Sequence, residues 1–381
     1  MPSDAVSASS RRVWLDATSG PLHPAAVEAL GACAGDAADP GARHTPGRAT
    51  RHELDRARSR WAEVLGVEPR ALSFLPSGAH ALRVALDGLR HARRRVGSQV
   101  LASAVERAVV LTNDPPPQIV PVDRFGRVDP AEVGSRLTGT SAAVVAQVAN
   151  GEVGTAQRVE ELASVCRVRG VPLVLDATAS GGHVRTPQGW DVLVADAQSW
   201  GGPPLGILAV RPGTRFLLPY AAEAEERRAV APPWPPLVIA AEAALLATAA
   251  NGESDAALHR RLTDRIRAAA RAVPDVEVVG DPVDRLPHVA SFSALFVDGE
   301  VLVEEFDQRG FAVASGSACV STRLEPSHVL AAMGALTHGN VRITLPWPAC
   351  APALEEDVER FCATLPEAVA AARTRLGVAD L

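Results

Sequence analysis

LVLDATASGGHVRTPQGWDVLVADAQSWGGPPLGILAVR, residues 173–211, holds three short apolar runs, at 173–175, 192–195 and 207–210. Short continuous apolar runs bounded by turn residues read as strands buried on both faces. Between the second and third run lies DAQSWGGPPLG, placed where α/β enzymes often keep their chemistry. Apart from the Trp200 indole, its polar side chains are only Asp196, Gln198 and Ser199. A loop in that position with no strong base and no cation calls for an explanation from the rest of the chain.

Working outward, the same pattern repeats. ALSF, QVLASAVE and AAVVAQV read as strands on the N-terminal side. HELDRARSRWAEVLGV reads as a helix with Leu54, Ala57, Trp61, Val64 and Leu65 on its apolar face and Gly66 as its stop, after a polar loop GARHTPGRATR. A further helix opens near Ser77 or Gly78, and VEELASVCRVRG is another. Helices alternating with apolar strands predict a mostly parallel, doubly covered sheet. Beyond the proline-rich VAPPWPPL (230–237), one helix is expected over about 238–250 and a separate one from DAALHRRLTDRIRAAARAV. VEVVG, HVASFSALF and FAVASG then read as strands of a smaller α+β unit. The expected organisation is an N-terminal arm (1–15), a large domain (16–250) and a small C-terminal domain (251–381).

Composition bounds the function. A net charge of −6 gives no electrostatic case for nucleic acid or an anionic membrane. With no signal peptide and no apolar run of about 18 residues, the expected location is the cytoplasm. The five cysteines (Cys33, Cys166, Cys319, Cys350, Cys362) form no CxxC pair and no metal-ligand spacing. All 38 basic residues are arginines, so no lysine amine is available for Schiff-base chemistry.

Four places could carry chemistry. In PSGAHALRVAL, Ser77, Gly78, Ala79 and His80 sit where a strand turns into a helix, a place that suits a phosphate and equally suits a purely structural glycine. Asp176 ends an apolar strand, at the ligand edge of a parallel sheet or as an Asx turn. Cys319 lies among small residues in ASGSACVSTRLEPSHVL, an accessible thiol or a buried small hydrophobe. Arg342, in NVRITLPW, needs an anion if buried, which a substrate carboxylate or an internal salt bridge supplies.

Taken together, the order and spacing resemble the cysteine desulfurases of the class V aminotransferase group, with the fold type I of pyridoxal 5'-phosphate (PLP) enzymes. The resemblance runs from VWLDATSGPLHP to the final helix, through NGEVGTAQ, VPLVLDATAS and VRITL, and is most specific in SGSACVSTRLEPSHVLAAMG. It implies a large domain with a seven-stranded type of sheet and a small domain carrying the Cys319 loop. It implies further that Ser77 to His80 cradle the PLP phosphate, that Asp176 pairs with the pyridine nitrogen, and that Asn150 lies near the substrate or the cofactor's O3 side. Arg342 would hold the carboxylate of L-cysteine or a sulfur-containing analogue, and Cys319 would take the sulfur as a persulfide. A homodimer, or a heterodimer with a paralogue, and a sulfur-acceptor protein are the implied partners.

Departures from that pattern account for the empty loop. The family's Ser-Gly-His-Lys falls on Asp196-Ala197-Gln198-Ser199, so Ser199 stands at the lysine's place and Gln198 at the histidine's. The ring-stacking histidine falls on Arg107, and the glutamine after DAT falls on Ala179. The segment that reaches a neighbouring subunit's phosphate corresponds to AAEAEERRAVAPPWPP, where Trp234 is an apolar interface anchor or part of a surface loop. Any PLP bound here is expected to be non-covalent, leaving either a desulfurase with another base, a non-catalytic partner subunit or sulfur scaffold, or an altered C–S lyase. The purified protein should therefore lack the yellow band of an internal aldimine, and a visible spectrum that shows one would contradict this assignment.

Overall fold

The computed structural model describes residues 12–221, 228–229, 233–316 and 326–378. In chain order, the first part runs β1 (Val13–Trp14), α1 (Pro24–Cys33), α2 (Thr45–Leu65), β2 (Leu72–Leu75), α3 (Gly78–Arg93), β3 (Gln99–Ser103), α4 (Ala108–Leu111) and β4 (Gln118–Val120). It continues through α5 (Pro130–Arg136), β5 (Ser141–Gln147), α6 (Val159–Arg169), β6 (Leu173–Asp176), β7 (Val192–Asp196) and β8 (Gly206–Val210). After these come α7 (Pro235–Arg271), β9 (Val276–Val279), β10 (Val289–Ala294), α8 (Gly299–Gln308), β11 (Phe311–Ala312), α9 (His328–Met333), β12 (Asn340–Thr344) and α10 (Leu354–Arg375).

Seven strands form one sheet in the order β2-β8-β7-β6-β5-β3-β4. Its pairings are parallel except for those of β8, which runs antiparallel to both β2 and β7. Every residue of β5, β6, β7 and β8 is buried, as the continuous apolar runs required. One face packs on a core around Trp61, Phe74, Trp190 and Trp200. The other is covered by α3, whose Ala81, Leu82, Ala85, Leu86 and Leu89 follow the helical period. Such an arrangement places the C-terminal ends of β3, β5, β6 and β7 side by side, where a parallel sheet opens its crevice.

The second core joins β10, β12 and α7 to α8 and α10 around Phe292, Phe306, Phe311 and Phe361. Val13 and Leu15 are buried in it, and β1 pairs in parallel with β11. The N-terminal arm thus closes onto the C-terminal part of the chain. Strand β11 covers only Phe311–Ala312; the remainder of FAVASG contributes a single bridge from Ala314 to Arg342.

Two expectations about helices are corrected. Helix α2 begins at Thr45, inside the presumed polar loop, because the His44 ring accepts the Gly47 N–H and a proline occupies the first turn. The two helices expected around residue 250 are one, α7, of 37 residues. Its first half buries Val238, Ala241 and Ala244 in the sheet core, and its second half buries Leu262, Ile266 and Ala270 in the other. Packing at both ends outweighs the roughly 1 kcal/mol that a helix-interior glycine costs. Position 250/251 therefore falls within α7.

Gly252 has open space around its Cα in the middle of this helix. Gly252→Ala is expected to raise stability by about 0.5–1 kcal/mol, read as a higher denaturation midpoint. Destabilisation would mean that the chain breaks its helix there.

Candidate active site

Asp176 ends β6 and is buried, 3% exposed. Its Oδ1 accepts the Thr178 N–H at 2.8 Å, forming the Asx turn, while Oδ2 is buried without a partner. Glu106 stands beyond the end of β3, 1% exposed. Its Oε1 accepts from Ser103 Oγ at 3.0 Å and from the Gln147 N–H at 3.3 Å, and its Oε2 also lacks a partner. Burial, reinforced by the Asp176 charge, pushes the Glu106 carboxyl up to about 8. Two orphan carboxyl oxygens thus lie beyond the ends of β6 and β3, on either side of β5.

At the start of α3, Ser77 is the N-cap and its Oγ accepts the His80 N–H at 3.2 Å. The Gly78 N–H donates to Asp196 Oδ2 at 2.7 Å. Asp196 ends β7, and its Oδ1 accepts the Gln198 N–H at 3.1 Å. The fit is tight: a Cβ at Gly78 would lie 2.7 Å from Thr178 Cγ2 and 2.9 Å from Asp196 Cβ. Burial raises the Asp196 carboxyl, against the two backbone N–H groups and Arg107, which favour its charge. Arg107 Nη1 donates to Thr178 Oγ1 at 3.0 Å, which sets this guanidinium among Asp176, Asp196 and Glu106.

Ser199 lies in the turn Ala197–Trp200 that follows β7. Its hydroxyl donates to the Gly181 carbonyl at 2.6 Å, and its own carbonyl accepts from Trp347 Nε1 at 3.1 Å. Behind it, His183 stacks on His288 at 3.4 Å and on Trp347 at 4.2 Å, with His259 nearby at 5.8 Å. Burial lowers all three histidines, His259 to about 4. Nothing in the sequence motifs pointed to this ring stack.

Asn150 is brought to the same edge, but its amide is spent on the chain. Nδ2 donates to the Val105 carbonyl and to Gln147 Oε1, and Oδ1 accepts from the Glu152 and Val153 N–H groups. With two donors and two lone pairs engaged, this side chain shapes its loop. Arg342, 8% exposed, reaches Asp16 Oδ1 at 3.3 Å and Thr18 Oγ1 at 3.4 Å. Its Nε is buried without a partner. Of its two sequence readings, an internal ion pair is present, and an unused N–H remains. Ala79 and His80 lie in the first turn of α3, with the His80 ring exposed.

Cys319 lies outside the described residues. The residues flanking that segment are held by Glu152: its Oε1 accepts from Ser327 Oγ at 2.6 Å, and Gly316 packs against the same carboxylate. The motif NGEVG contained Glu152, but its partners are over 160 residues away and only folding shows them. Burial raises the other four thiols, Cys166 to about 12 and Cys350 and Cys362 to about 11, which keeps them protonated. No group of metal-ligating side chains occurs among the described residues.

Comparison with known proteins accords with this architecture. The aminotransferase class-V family model matches residues 17–361, so the chain belongs to that family. A cysteine desulfurase IscS from Methanosarcina thermophila is 28% identical over 382 residues, covering 96% of this chain and 93% of that protein. Another, from Dictyoglomus turgidum, is 30% identical over 358 residues, 88% and 90% of the two chains. Among solved structures, a NifS-like protein superposes with a TM-score of 0.83 at 20% identity, covering 93% of this chain and 98% of its own. The apo cysteine desulfurase from Thermococcus onnurineus gives 0.80 at 19% identity, with 94% of each chain covered. Within the family this chain is cysteine desulfurase-like, with the PLP-dependent fold type I.

The buried groups make opposite pH slopes. Glu106, at about 8 when folded against an ordinary 4.5, holds an extra proton in the native state, so its contribution is lost as pH rises toward 8. The histidines, lowered from 6.5, stay neutral in the native state while the unfolded chain protonates, so their contribution is lost as pH falls below 6.5. Glu106→Gln should gain stability relative to the native chain between about pH 5 and about pH 8.5, measured by urea denaturation. A difference that stays flat across that range would remove the raised Glu106.

Proposed function

We propose that this chain is a sulfur-handling member of the desulfurase group, which takes sulfur on Cys319 and does not by itself release it from L-cysteine through a lysine-bound cofactor. The observation that carries this reading is at position 199. The chain has no lysine, and the one proton of the Ser199 hydroxyl is committed to the Gly181 carbonyl. A hydroxyl forms no Schiff base and is a poor base at neutral pH.

Members of this family use PLP, and the residues here can be tested against it. The orphan Asp176 Oδ2 suits a protonated ring nitrogen. The aldehyde, however, has no amine to meet, and the N–H of Gly78 already carries the Asp196 carboxylate. Two of the three contacts do not fit, so no step is assigned to PLP.

What the chain retains is the Cys319 thiol in its sequence motif and a guanidinium. Arg342 is offered as the grip for an amino-acid carboxylate, through the donor that Asp16 and Thr18 leave unused. Cys319 as thiolate attacks the outer sulfur of a donor's persulfide; the donor's S–S bond breaks, the donor leaves as a thiolate, and Cys319 carries the persulfide. No oxidant is consumed. The donor we assign is an active, lysine-bearing desulfurase, as a partner in a dimer or in passing, in a reducing compartment such as the cytoplasm. Trp234, exposed beside the start of α7, is the proposed anchor of such a dimer.

With PLP, L-cysteine and reductant, the purified protein should form sulfide and alanine far more slowly than the roughly 1 s⁻¹ at the low end of ordinary enzymes. Incubated with an active desulfurase and L-cysteine, it should gain one sulfur on the Cys319 peptide by mass spectrometry, and Cys319→Ser should not. Ser199→Lys alone should gain little turnover, since Asp196 and Arg107 are unchanged. Turnover by the native chain alone, or no sulfur on Cys319, would refute the proposal.

A further inference from the structure

The geometry points to Asp196 as a built-in anion that fills the seat a ligand's phosphate would take, so that this cleft selects an unphosphorylated, protonated nitrogen base over its phosphate ester. The inference rests on the Proposed function only in taking this cleft as the ligand site.

A helix N-terminus offers its free N–H groups and positive end to one anion. At α3 that anion is already present: the Asp196 carboxylate accepts from Gly78 with one oxygen and from Gln198 with the other. Its backbone is fixed at the end of β7, where Asp196 pairs with Gly206 of β8, and its two oxygens are engaged by the two N–H groups. Nor is there spare room at that point. Thr178 and Asp196 both crowd the position of a Gly78 Cβ, and a Cβ at Gly206 would come within 2.1 Å of the Ser77 carbonyl oxygen. A phosphate brought to the α3 N-terminus would meet a carboxylate across a single hydrogen-bonded N–H, in a partly dry site where like charges repel strongly.

An independent observation states what the cleft lacks. Asp176 Oδ2 and Glu106 Oε2 are buried carboxyl oxygens without a hydrogen-bond partner, on residues 3% and 1% exposed. Such atoms are costly unless a hydrogen-bond partner reaches them. Arg107 does not supply it: its Nη1 donates to Thr178 Oγ1. The complement that Asp176 Oδ2 lacks is an N–H-bearing cation, such as a protonated pyridine or an amine, and not a second anion, while Glu106, protonated up to about 8, holds its own proton.

The test is a binding ratio measured without L-cysteine, so it can fail while the sulfur-transfer reading stands, and the reverse. Pyridoxamine and pyridoxamine 5'-phosphate are titrated against the intact protein by calorimetry, with circular dichroism confirming the fold of each variant. The native chain should bind pyridoxamine at least about tenfold more tightly than its phosphate ester. Asp196→Ser, which removes both the charge and the plug, should invert the preference. Asp196→Asn, which keeps an acceptor for Gly78 but no charge, should move the ratio part of the way. Native preference for the ester, or a ratio unmoved in both variants, would overturn the inference. If the native chain binds neither probe, ester binding that appears in Asp196→Ser supports it, and no binding in either variant overturns it.

Discussion

One helix, α7, is packed into both hydrophobic cores, and that sharing fixes where the two halves of the molecule meet. Its first half lies under the seven-stranded sheet and its second half under the C-terminal strands. Because a helix is stiff over this length, the sheet's C-terminal edge and the β12 strand that carries Arg342 are held in one relation. The N-terminal arm adds a second tie: Asp16 meets Arg342 directly, and Val13 and Leu15 are buried between the last helices and strands. The cleft is therefore a product of tertiary packing at a distance from its own residues.

At that cleft, the balance of charge departs from what the architecture ordinarily serves. The parallel strands aim their ends, and α3 its N-terminus, at a common point, which suits an anion. In this chain the anion is intramolecular. Three carboxyl groups, Asp176, Asp196 and Glu106, are set against the Arg107 guanidinium, and burial leaves Glu106 protonated up to about 8. An arrangement that gives the α3 N-terminus its own anion also removes the reason for a phosphate to bind. The same logic holds at position 199, where a hydroxyl closes a hydrogen bond within the protein instead of waiting for a substrate.

The mostly parallel sheet and the placement of Asp176 at a strand end were legible from residues 173–211 and their neighbours; the strand order was not. Apolar runs without alternation leave a buried parallel sheet as the solution with satisfied backbone groups and covered faces. Absence of lysine was legible too, since no fold can supply an amine the chain does not contain. The start of α2 and the continuity of α7 were not legible. His44 caps through a local ring contact that propensity does not register, and Gly252 was outweighed by packing on both sides of it.

Sequence alone determined the chemistry that is missing, because that depends only on which side chains exist. Tertiary structure alone decided what took its place. Asp196 reads in the sequence as one polar residue in a glycine-rich loop, 118 positions from Gly78. Glu152 is likewise 175 positions from the Ser327 that it binds. His183 stacks on His288 and Trp347, with His259 beside them, from four separate segments. Contacts of this kind have no local signature: they arise when strand ends and helix ends converge, and burial then sets their protonation and strength.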